Sequence, residues 1–107
     1  MKLTKTPSEC TGMEEIRNQI DQIDLEIIRL FAQRSDYVHE IVKYKSDEES
    51  VIAKDRKELV IRQRSEWAES KGLDKKTFED IYIRLLQQNI SEELLLLHKD
   101  KEPQNHV

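Results

Sequence analysis

Residues 16–41, IRNQIDQIDLEIIRLFAQRSDYVHEI, decide the fold. Their apolar positions fall at Ile16, Ile20, Ile23, Ile27 and Leu30, and then, beyond Arg34, at Tyr37 and Ile41. The steps alternate between four and three, which is the seam of a long helix packed on another. Arg34 stands where that seam calls for a hydrophobic side chain. A guanidinium there is costly to bury unless an anion meets it. Arg17 lies near the start of the same helix and Lys45 near its end. Together these cations read as a site for a small, multiply charged anion built inside a helical bundle.

Working outward, Thr11 followed by Glu14 reads as a capping box that opens the helix. The helix is expected to run from residue 12 or 13 to residue 44 or 45, far beyond an ordinary globular helix. Residues 46–50 are an acidic polar break, read as a loop. Asp55 followed by Glu58 is a second capping signal, so a second helix starts there, with Leu59, Val60, Trp67 and Ala68 on its apolar side. Trp67 is expected in the core, and Gly72 is placed as the C-cap residue. Asp74 followed by Thr77 restarts the chain as a third helix, whose apolar face begins with Phe78, Ile81, Tyr82, Leu85 and Leu86 and resumes at 94–97. The fold class is therefore all-α: a three-helix chain with a long first helix. The organisation is an N-terminal arm over 1–10, a helical domain over 11–98 and a charged, disordered tail over 99–107.

Composition agrees with a helical reading. The 107 residues include two glycines, two prolines and 37% charged side chains. The hydrophobic fraction, 36%, is thin for a free-standing three-helix monomer, so core from a second subunit is expected. A net charge of −4 argues against a nucleic-acid protein, which usually shows a basic face. The one cysteine, Cys10, excludes an internal disulfide and fits a reducing compartment. The N-terminal stretch shows no apolar signal segment, and the longest apolar run, 94–97, is too short to span a bilayer, so a cytoplasmic location is expected. His39, His98 and His106 are not spaced as metal ligands, and no metal is expected.

The third helix carries polar residues where core is due. Gln88, Asn89, Glu92 and Glu93 interrupt its stripe, and Asn89 and Glu93, four apart, share a face. Such a gap is either an exposed stretch or the floor of a pocket; the coincidence with Arg34 raises the second. Helix length constrains the site. Arg17 and Arg34 are seventeen residues apart, about 25 Å along the axis, so no small metabolite reaches both on one chain. An antiparallel copy of the helix would bring Arg17 of one subunit toward Arg34 of the other and create two identical sites. Arg34 and Lys45, eleven residues apart, lie about 16 Å apart along the axis, close enough for two long cationic side chains to close on one ligand. Arg56 adds a fourth cation. Each residue has a structural alternative: Arg17 as a surface residue, Arg34 paired with a nearby acid, Lys45 satisfying the helix C-terminus.

The stretch KTPSECTG over 5–12, with Ile16-Arg17 and IDQID over 20–24, resembles the all-helical chorismate mutase family, and the opening most resembles its isochorismate pyruvate lyase branch. The similarity continues through RSDYV over 34–38, KYK over 43–45, RSEWAE over 64–69 and Gly72-Leu73-Asp74, covering about residues 5 to 97. The resemblance implies an intertwined antiparallel helical homodimer with each site shared between subunits. It implies that Arg17, from the neighbouring chain, binds one substrate carboxylate and Arg34 the other carboxylate or the enolpyruvyl end. Lys45 would hydrogen-bond the ether oxygen, Arg56 (or Lys57) would contact substrate, Asn89 and Ile90 would wall the pocket, and Glu93 would make the second ether-oxygen contact. Arg34, Lys45 and Glu93 are thus the expected catalytic residues, with no cofactor. Many relatives carry glutamine where this chain has Glu93. An ionised carboxylate could not donate there, so Glu93 is expected to work in its protonated form.

The implied reaction is the rearrangement of chorismate to prephenate in aromatic amino-acid biosynthesis. The alternative is cleavage of isochorismate to salicylate and pyruvate. The N-terminal stretch favours the lyase; Glu93, which resembles a substitution found among mutases, leans toward the mutase. An alternative of another class is a non-catalytic helical dimerisation or metabolite-sensing module.

Overall fold

The computed structural model describes residues 5–101, and among them every regular element is helical. A 3-10 turn at Pro7–Glu9 precedes helix α1, Met13–Ile41. A second 3-10 turn, Val42–Tyr44, leads to a five-residue helix α2, Glu48–Ile52. Helices α3, Lys54–Ser70, and α4, Lys75–Lys101, complete the chain. The all-α class and the long first helix agree with the pattern of the sequence.

The differences from that pattern have local causes. The α-helical bonding stops at Ile41, and the next three residues tighten into a 3-10 turn closed by the Lys45 N–H on the Val42 carbonyl at 3.0 Å. The tightening seats Val42, 4% exposed, in the core. The acidic break contains α2: Asp47 accepts from the Ser50 N–H at 2.8 Å and its own N–H donates to the Ser50 hydroxyl at 3.3 Å, a capping box that starts the helix and delivers Val51 to the interior. Ala53 then adopts a left-handed conformation, φ 40°, ψ 59°, and turns the chain directly into α3. Asp55 therefore lies in the first turn of α3 rather than capping it. At the chain's beginning Thr11 engages Glu15, not Glu14.

Two expected boundaries are realised by specific bonds. The Leu73 N–H reaches the Ala68 carbonyl at 2.9 Å and the Gly72 N–H the Glu69 carbonyl at 3.0 Å, the paired bonds of a Schellman stop. Gly72, at φ 80°, supplies the left-handed residue that stop requires. Asp74 accepts from both the N–H and the hydroxyl of Thr77, at 2.9 and 2.7 Å, and caps α4.

The chain divides between Tyr37 and Val38 into two units. The first holds the N-terminal turn and most of α1. No residue of α1 is buried, and Ile16, Ile20, Ile27, Leu30 and Tyr37 of its apolar stripe are exposed. The second unit carries the core. Val42, Val51 and Leu97 meet there, with Ile90, Leu94 and Leu96 packed against them. Helix α3 lies along α4 and buries Val60, Ser65 and Ala68. Trp67, expected in the core, is instead 54% exposed and stacks under the Arg64 guanidinium, 4.7 Å from the ring centroid. Helix α4 continues through Lys101; residues 1–4 of the expected arm and 102–107 of the expected tail lie outside the described residues.

Candidate functional site

Lys45 emerges from the 3-10 turn in extended backbone, φ −110°, ψ 132°. That geometry carries its side chain to α4, where Nζ donates to Glu93 Oε1 at 2.8 Å across 48 residues of sequence. The two side chains are only 17% and 7% exposed. A carboxylate that far from water is tolerated because an ammonium meets it. Asn89, also buried, lies one helical turn before Glu93 on the same face. The polar interruption of α4 is therefore split. Asn89 and Glu93 point into the protein, while Gln88 is exposed and Glu92 half-buried.

The remaining expected site residues fall in different settings. Ile90 is half-buried against the Val42–Val51–Leu97 cluster. Arg56 is exposed on the first turn of α3, where with Glu48, Ile52, Ala53 and Lys54 it lines a cavity of ≈ 670 Å³. Lys57, the alternative contact, is half-buried one residue on. Arg17 and Arg34 belong to the first unit, Arg17 exposed and Arg34 half-buried on α1. The structure thus joins Lys45 directly to Glu93 and sets Asn89 beside them.

Three residues outside the expected site set, two of them from the polar interruption of α4, join one another at α4 next to this pair. His39, on the last turns of α1, places Nε2 2.7 Å from Glu92 Oε2. Gln88 Nε2 donates to the other oxygen of Glu92 at 2.9 Å. These bonds, that of Gln88 first and that of His39 second, hold the Glu92 carboxyl below its ordinary range. His39 and Glu92 are 53 residues apart, and no spacing rule links residues that distant.

Chemically, the pair offers an ammonium and a carboxyl group next to an amide in a water-poor setting, a set of groups able to grip an oxygen atom. Among the described residues no cluster of three potential metal-binding side chains occurs. No described helix is long and apolar enough to cross a membrane.

Residues 16–94 match the family model described as chorismate mutase type II. Over 90 residues, 84% of this chain and 89% of the relative, the sequence is 36% identical to the isochorismate pyruvate lyase of Pseudomonas aeruginosa. Over 83 residues it is 28% identical to the T-protein of Haemophilus influenzae, a match that takes in 77% of this chain but only 22% of that protein. The family match spans most of the chain, including most of α1, all of α3, the Lys45–Glu93 pair and Asn89, so this chain belongs to the chorismate mutase type II family.

Proposed function

We propose that this chain is an enzyme that rearranges chorismate to prephenate and works as a homodimer. The observation that carries the reading is the pair of half-buried Lys45 and buried Glu93 beside buried Asn89, inside a stretch matched to the family. Chorismate is a dicarboxylate enol ether. Its rearrangement breaks a C–O bond as a C–C bond forms and needs no nucleophile. Catalysis then consists of holding the reactive conformer and stabilising negative charge on the ether oxygen. Lys45 donates to that oxygen. Glu93 adds a second donor when one of its carboxyl oxygens carries a proton: Lys45 engages Oε1, which leaves Oε2–H for the ether. Arg34 and Arg17 of the partner subunit neutralise the two carboxylates, Arg56 adds positive charge, and Asn89 and Ile90 wall the pocket.

Helix α1 supports the dimer. Its 29 residues bury none of their side chains in a single chain, although Ile16, Ile20, Ile27 and Leu30 are spaced as a packing seam. A contiguous apolar face of that kind calls for a partner. A second, antiparallel copy supplies one and brings Arg17 within reach of the other subunit's Arg34.

A second reading, elimination of pyruvate from isochorismate to give salicylate, is favoured by the 36% identity to the Pseudomonas aeruginosa lyase over nearly its whole length. The same cations and donors serve either reaction. The deciding experiment supplies purified protein with chorismate and, separately, isochorismate, and follows prephenate, salicylate and pyruvate. Prephenate is the expected product. Salicylate without prephenate establishes the second reading, and consumption of neither substrate contradicts both. Arg34→Ala should abolish nearly all turnover while sedimentation still shows a dimer. Retained turnover in that variant contradicts the site assignment and favours a non-catalytic helical module.

A further inference from the structure

We infer that His39 is a positioning residue for Lys45, acting through Glu92; the inference rests on the reading of Lys45 and Glu93 as the groups at the reacting oxygen. Lys45 has no helix of its own to fix it. Its backbone is extended, and the preceding three residues form a single 3-10 turn. That turn is held on α4 at three points. Val42 is sunk into the core with Val51 and Leu97. Lys45 itself reaches Glu93. Three residues before Val42, His39 meets Glu92, the neighbour of Glu93 on α4.

The His39 contact differs from an ordinary surface pair in how firmly its carboxylate is held. Glu92 Oε2 takes the histidine at 2.7 Å while Oε1 takes Gln88 at 2.9 Å, so both oxygens of one carboxylate are engaged. Gln88 and Glu92 lie on one face of α4, one turn apart. Facing a carboxylate, the His39 ring nitrogen acts as the donor. Two consecutive glutamates of α4 therefore grip the same descending segment at positions six residues apart, one near the end of α1 and one at Lys45. The Val42 side chain alone is an apolar pivot and makes no directional bond to α4. Loss of the His39 contact lets the end of α1 swing about it and spreads the positions of Lys45 Nζ. A displacement of order 1 Å in a group that must meet a developing charge is costly to rate even where substrate binding is kept. The pair itself is partly solvent-exposed, so its loss should barely change stability, and its effect should appear in turnover.

The test uses the full-length protein and the substrate it turns over in the assay above. Lys45→Ala, His39→Ala, His39→Gln, Glu92→Ala and the double variant His39→Ala/Glu92→Ala are compared. Lys45→Ala should remove nearly all turnover. His39→Ala should lower kcat about tenfold with KM changed less than twofold and the thermal midpoint almost unchanged. His39→Gln, which keeps an N–H donor without an imidazole, should recover most of the loss. The double variant should be no worse than either single one, as for partners in one contact. If Lys45→Ala retains turnover, the reading of the site fails and this inference with it. If Lys45→Ala is inactive at a temperature where circular dichroism shows it folded, while His39→Ala keeps the kcat of the unaltered protein or the two single losses multiply in the double variant, the site reading stands and the positioning role is overturned.

Discussion

Two lysine–glutamate pairs in this molecule have the same length and opposite surroundings. Lys5 meets Glu15 at 2.8 Å at the N-terminal turn, with side chains 39% and 37% exposed. Lys45 meets Glu93 at 2.8 Å between the 3-10 turn and α4, with side chains 17% and 7% exposed. Distance does not distinguish them; hydration does. Water screens the first pair, so it adds little beyond tethering a short segment. The second is largely shielded from water, so each member depends on the other. A buried pair contributes little net stability, yet it presents charge and donors in a place where they act strongly on a bound oxygen.

Breaking the buried pair should give the largest effect. Lys45→Ala leaves a buried carboxylate without its cation and should cost about 3–5 kcal/mol in denaturant unfolding. Lys45→Met/Glu93→Leu removes both charges and should restore stability to within about 1 kcal/mol of the unaltered protein, or raise it. Neither variant should turn over substrate. A double variant as unstable as Lys45→Ala would show that the pair, not the unpaired charge, holds this region together. A double variant that keeps turnover would remove it from the chemistry.

A subtler change separates the two roles of Glu93. Pairing with Lys45 needs only an acceptor oxygen at residue 93, whereas the proposed contact to the ether oxygen needs a donor. Glu93→Gln supplies both an acceptor and a permanent donor and should keep or raise kcat, whereas Glu93→Leu supplies neither and should lower kcat steeply. A Glu93→Gln variant as inactive as Glu93→Leu rejects the donor role.

The exposed pair should give the smallest effect. Lys5→Ala should lower the unfolding midpoint only slightly, since water screens the pair, and should leave turnover unchanged. Its signature is in pH: the Lys5 ammonium first, then the Thr11 N–H and hydroxyl, hold Glu15 down at about 2. A carboxyl lowered on folding contributes in full above its ordinary value near 4.5 and loses that contribution as pH falls through about 2. The Thr11 amide resonance should therefore titrate near 2, and a midpoint near 4.5 would show that the contact is not held in solution.

Much of this arrangement was legible in the order of residues. The four-and-three spacing over 16–41 gave a long helix, Asp74 with Thr77 gave the start of α4, and Gly72 gave the end of α3, because each depends on neighbours within one turn. Asn89 and Glu93 were legible as one face and as the floor of a pocket, but the direct bond from Lys45, 48 residues away from Glu93, was not. Helix α2 was hidden because five residues are too few to show a period, although the Asp47 and Ser50 that cap it stood in plain view. Trp67 misled because its size suggests the core, whereas Arg64, three residues earlier, covers its ring at the surface. The His39–Glu92 contact left no trace in the sequence, since nothing local prepares a histidine to meet an acid 53 residues on.

The most direct measurement places the two pairs side by side in one assay. The unaltered protein, Lys5→Met and Lys45→Met are each given chorismate and isochorismate, and the products are followed over time. The unaltered protein and Lys5→Met should convert substrate at the same rate, and Lys45→Met should convert none. Conversion by Lys45→Met at the rate of the unaltered protein would contradict the claim that the buried pair is the reaction centre.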